Sequence, residues 1–168
     1  MRVLLTLILI FLPCMSMSWS YANLKTNNLN PVYLLAYNFL GYNENIHHEI
    51  LESFIGVDPR YNQWCAYFIN SLITTVDPSV VVDEPGLARS WLNYGTPTTN
   101  PQEGDLVIFS RGSEGWKGHI GFYIKTDIID GEAYVLVFGG NQNNSVTYAY
   151  YAESRVLGYR QIPFIKLD

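Results

Sequence analysis

One cysteine, one histidine and a side-chain amide in this chain fall in the order that nucleophilic acyl transfer requires. A thiolate attacks well only if a histidine takes and returns its proton and a third polar group holds the ring in the right tautomer. Cys65 follows the loop Asp58-Pro59-Arg60-Tyr61-Asn62-Gln63 and precedes Phe68, Ile69, Leu72 and Ile73, which recur at helical spacing. That places it in the first turn of a helix. Unsatisfied N–H groups and the positive end of the dipole favour thiolate there, so a lowered thiol pKa is expected. A free cysteine is also commonly a small apolar filler, here under Trp64, and position alone leaves both readings open.

The chain has three histidines. His47 and His48 are adjacent on an expected helix, point about 100° apart, and read as solvated surface residues. No Cys/His pair has metal-ligand spacing, so neither a metal nor any other cofactor is expected. His119 differs because it opens the strand His-Ile-Gly-Phe-Tyr-Ile, with His119, Gly121 and Tyr123 on one face. If a three-residue loop centres on Asp130, Asn141 lies opposite His119 and Gly139 opposite Gly121, with Cβ atoms roughly 5 Å apart. The glycines then clear that face for the helix bearing Cys65. A two-residue loop at Asp130-Gly131 flips the parity and sets Gln142 opposite His119 instead. Either amide could orient the ring.

These residues need helices first and a sheet second. Asn30-Pro31 is a cap followed by a first-turn proline, with Val32, Leu35, Ala36, Phe39 and Leu40 at helical spacing until Gly41. A second helix is expected over about 45–55, with Ile46, Ile50 and Phe54 four apart and Gly56 as its stop. The third opens near Trp64, and a short fourth follows Pro85. Beyond Gly104 the pattern alternates: strands are expected at 105–109, 119–125, 134–138, 145–151 and 155–160. The fold class is therefore α+β, with N-terminal helices packed on a C-terminal antiparallel β-sheet.

At 168 residues with 48% apolar and 15% charged side chains, the chain suits one globular domain and excludes a disordered one. A formal charge of −5 without any basic cluster excludes a nucleic-acid partner. Residues 1–22 carry Arg2, the apolar run from Val3 to Leu12 and a small-residue end at Ala22, the three parts of a secretory signal. The expected division is a signal over 1–22 and a single domain over 23–168. Export to the periplasm or medium follows, with transient membrane tethering possible before release and no stable insertion after cleavage. Removal of the signal takes Cys14 with it and leaves Cys65 as the one thiol.

Five segments in order resemble a cell-wall cysteine amidase or peptidase of the CHAP and NlpC type, compact relatives of papain. Asn62-Gln63-Trp64-Cys65-Ala66-Tyr67-Phe68-Ile69-Asn70 is similar to the nucleophile helix, and Ala88-Arg89-Ser90-Trp91-Leu92-Asn93-Tyr94-Gly95 to the segment after it. Gly104 to Phe109, Gly118 to Tyr123 and Gly139-Gly140-Asn141-Gln142-Asn143 resemble the Gly-Asp, Gly-His and Gly-Gly-Asn-Gln elements. The resemblance implies a papain-like core, Cys65, His119 and Asn141 as the catalytic triad, and hydrolysis of amide bonds in peptidoglycan by a monomer. Trp64, Trp91, Trp116, Gln142 and Asn143 are candidates for contact with the peptide stem or glycan. Two departures stand out: the third catalytic position is an amide, and the loop Ser110 to Gly118 is longer than many relatives need. The competing readings are a non-catalytic secreted binding protein on the same fold and a cysteine protease or acyltransferase acting on proteins.

Overall fold

The computed structural model describes residues 29–163, and the expected signal over 1–22 lies outside them. Helix α1 (Pro31–Ala36) begins as its cap dictates: the Asn30 side chain accepts the Val32 N–H at 3.0 Å, and Pro31 takes the first turn. The chain then tightens into a 3-10 turn at Tyr37–Phe39, short of the single helix expected to Gly41. Helix α2 (His48–Ile55) ends at Gly56, whose φ of +76° closes the last turn. It starts three residues later than expected, and its buried face is Leu51 and Ile55. The Ile46 and Ile50 stripe faces outward, because α2 is seated by its contacts with the next helix, not by its own period.

That next helix, α3 (Cys65–Val76), is the axis of the core. It buries Phe68, Ile69, Leu72 and Ile73, the stripe read from the sequence, together with Ala66. A 3-10 segment at Ala88–Asn93 replaces the expected fourth helix. The strands follow: β1 (Thr96–Thr98), β2 (Leu106–Ser110), β3 (Gly118–Ile129), β4 (Glu132–Gln142), β5 (Ser145–Ala152) and β6 (Val156–Gln161). They form one antiparallel sheet in the order β1-β6-β2-β3-β4-β5. The short β1 was not anticipated, since Pro97 sits in its centre and only an edge strand tolerates that.

The sheet carries a buried cluster on each face, and helices cover one of them. Leu106, Ile108, Ile120, Phe122 and Phe138 pack with α1 and α3 in the main core. Val107, Phe109, Val135 and Val137 form a smaller cluster on the other face, closed by Tyr123, Tyr151 and Tyr159. The expected strand alternation therefore holds, but the faces are assigned differently. Helix α3 lies on the side of Ile120 and Phe122, and the glycine that lets it approach is Gly140: a Cβ there would stand 2.5 Å from the Trp64 ring and 3.1 Å from the Phe68 Cβ. Gly121 instead faces Val137.

Candidate active site

Two chain segments carry the reactive residues, the start of α3 and the start of β3. Trp64 occupies the N-cap of α3 and its carbonyl accepts the Phe68 N–H at 2.9 Å, so Cys65 opens the helix as expected. The indole behind it is fully buried and donates to Glu44 at 2.9 Å. Cys65 is only 3% exposed, yet it lines a cleft of about 310 Å³ shared with Gln63, Arg111, Trp116 and Lys117. Burial pushes its pKa up, against backbone N–H groups of Ile120, Ala66 and Cys65 itself and the charge of Arg111, which all pull it down. The net direction reverses the expectation drawn from the helix terminus. Desolvation outweighs the dipole because the sulfur lies beneath the surface and not on it.

The Ile120 backbone N–H that pulls the thiol pKa down belongs to the residue after His119, and the strand carrying the imidazole packs against α3. His119 is also 3% exposed, with its ring tilted 30° over Tyr151 at 4.8 Å between centroids. Burial lowers its pKa to about 4, with Arg111 and Arg155 adding to the shift and the Gln142 hydrogen bond opposing it. Both partners are thus held in their neutral forms at rest.

The ring is held by Gln142, not Asn141. Gln142 is buried, and its Oε1 lies 3.1 Å from His119 Nε2. Its amide orientation is determined by its own donors, which go to the Val137 carbonyl at 3.2 Å and to the Thr147 carbonyl. Only the oxygen remains for the ring, so Nε2 carries the proton and Nδ1 presents its lone pair. That is the tautomer a base for Cys65 must have.

Both registers considered from the sequence occur, one after the other. Asp130 and Gly131, at φ +51° and +84°, make a two-residue turn, and pairing next to it follows that parity, with Ile129 opposite Glu132. An irregularity between Tyr123 and Lys125 then shifts the pairing, so Phe122 meets Phe138 as in the three-residue case. Asn141 should then face His119, but its backbone turns left-handed at φ +57° where the β4–β5 register slips between Gly139 and Gln142. The slip delivers Gln142 to the ring. The Asn141 amide points instead to Gln63, donating to its Oε1 at 3.4 Å.

Of the residues expected to meet substrate, Trp116 is 60% exposed and lines the cleft. Trp64 and Trp91 are fully buried, the latter donating to the Pro85 carbonyl, so neither ring is available to a ligand. Asn143 sits in the β4–β5 turn at φ +50°, where its carbonyl accepts from Ser145. His47 and His48 are likewise only partly solvated: His47 caps α2, accepts the Asn43 N–H at 3.0 Å and stacks on Tyr42.

Two cleft residues had no role assigned from the sequence, although Gln63 stands in the segment that resembles the nucleophile helix. Gln63 Oε1 accepts from Arg111 Nη1 as well as from Asn141, which turns its Nε2 away from both. Arg111 comes from the long loop before β3. Its only visible signal was that loop's length.

A family model for the CHAP domain matches residues 57–141, just over half of the chain, from the loop before α3 to the residue preceding Gln142. No curated protein matches the chain. With helices ahead of an antiparallel sheet and Cys65 and His119 inside the matched segment, the chain belongs to the CHAP-domain family, a papain-like α+β family of amidases and peptidases.

Proposed function

We propose that the protein is an exported cysteine hydrolase that cleaves amide bonds in peptidoglycan through Cys65, His119 and Gln142. The observation that carries the reading is the locked Gln142 amide, which leaves Nδ1 of the buried His119 as the ring's acceptor, on the strand that packs against the helix opening with Cys65. Substrate in the cleft excludes water and meets a neutral pair. Cys65 gives its proton to Nδ1 as the sulfur attacks the amide carbon, and the carbonyl oxygen becomes an oxyanion. The Cys65 backbone N–H is a donor for that oxygen. The intermediate collapses, the C–N bond breaks, and the imidazolium protonates the leaving amine. A water molecule, deprotonated by His119, then hydrolyses the thioester, releasing the carboxylic acid and restoring the thiol.

The rival reading of a non-catalytic binding protein has one observation in its favour, the burial of the thiol. It leaves unexplained why a buried histidine is fixed in the base tautomer. Digestion of purified cell wall by the protein lacking residues 1–22, with products identified by mass spectrometry, tests the proposal. New amine and carboxyl ends should form with wild type and disappear with Cys65→Ala, while the variant stays folded by circular dichroism. Equal digestion by wild type and Cys65→Ala would refute it.

A further inference from the structure

The cleft over Cys65 is cationic in a chain whose formal charge is −5. Arg111 and Lys117 both line it. Lys117 is already matched, since its Nζ lies 2.7 Å from Glu114. Arg111 is not: its hydrogen bond goes to a neutral amide oxygen, Gln63 Oε1, and among the described residues it forms no ion pair. A guanidinium presents five N–H donors in a planar fork, so one bond to Gln63 leaves most of the fork unused. The Gln63 contact also tethers it beside the nucleophile, close enough for its charge to act on Cys65 and His119.

Resting on the hydrolase reading, the geometry points to Arg111 as a specificity residue that receives a free carboxylate of the peptide stem next to the scissile amide. Bidentate pairing with carboxylate is what the guanidinium fork is shaped for. Trp116 beside it offers a flat apolar surface to the substrate's backbone or sugar. The enzyme then selects acidic stems over amidated ones.

The test uses soluble peptidoglycan fragments in two forms, with stem carboxylates free or converted to amides by carbodiimide and ammonia. Wild type should show kcat/KM about tenfold or more higher on the free-carboxylate form. Arg111→Gln should bring the ratio of the two forms to about one, whatever happens to the turnover they share, and Arg111→Lys should keep part of it. Equal rates on both forms with wild type, or an unchanged ratio in Arg111→Gln, would overturn the assignment. Calorimetric binding to Cys65→Ala separates the two layers. Carboxylate-selective binding that depends on Arg111, without turnover by wild type, supports the anion site and refutes the hydrolase reading.

Discussion

At the scale of single residues, the division of labour between two adjacent amides carries the chemistry. Gln142 spends both N–H donors on the carbonyls of Val137 and Thr147, so its oxygen can only accept, and the His119 tautomer follows. Asn141 is on the other side of a left-handed backbone and reaches Gln63. Removing a group that orients a catalytic ring typically costs about 10–100-fold in activity. Gln142→Ala should therefore lose about that much kcat/KM on cell-wall fragments, and Asn141→Gly, which tolerates φ +57°, should lose less. A larger loss in Asn141→Gly would return the orienting role to Asn141. The order Cys, His, amide was legible in the sequence because spacing and strand alternation are local. The choice between the amides was not, because it depends on a register slip between β4 and β5, and a slip has no residue signature beyond an asparagine willing to turn left-handed.

At the scale of elements, the site depends on how closely α3 lies on β4. Contact between them runs through Trp64 and Phe68 over Gly140, where any side chain would overlap the indole. Overpacking of a core generally costs about 1–3 kcal/mol. Gly140→Ala should lower the urea midpoint accordingly and also reduce activity, since the displaced indole is the N-cap of the helix that begins with Cys65. Gly115→Ala, where an added Cβ meets nothing within 4 Å, should leave the midpoint unchanged. The elements themselves were read well where their pattern is buried, as in α3 and β2, whereas β4 runs over Glu132–Gln142 and not only the expected 134–138. Ile46 and Ile50 misled because helical spacing identifies a stripe without saying what will cover it. The face of β3 that receives the helix was likewise misassigned: both faces are apolar, since the tyrosines of β3, β5 and β6 build a second cluster there.

At the scale of the whole molecule, burial of the Cys65 and His119 pair ties stability to pH. The imidazole has a pKa of about 4 in the fold against an ordinary 6.5, so the unfolded chain binds the proton first. Stability from this group is complete above pH 6.5 and is lost as pH falls through that value toward 4, by up to about 3 kcal/mol. Urea unfolding of wild type and His119→Gln at pH 7, 5.5 and 4.5 should show wild type losing more over this window; parallel losses would contradict it. The groups around the ring, Cys65, Gln142, Tyr151, Arg111 and Arg155, supply no carboxylate to offset that cost. The sequence by itself determined the α+β class, the helix that begins at Cys65 and the strand that carries His119, because caps, periodicity and turn residues act over a few positions. Only the tertiary structure decided the rest: that burial outweighs the pull of the helix start on the thiol, that Gln142 holds the ring, and that Arg111 and Gln63 line the cleft. Each of these depends on which distant segments exclude water from one another, and that is a property of packing that no local pattern carries.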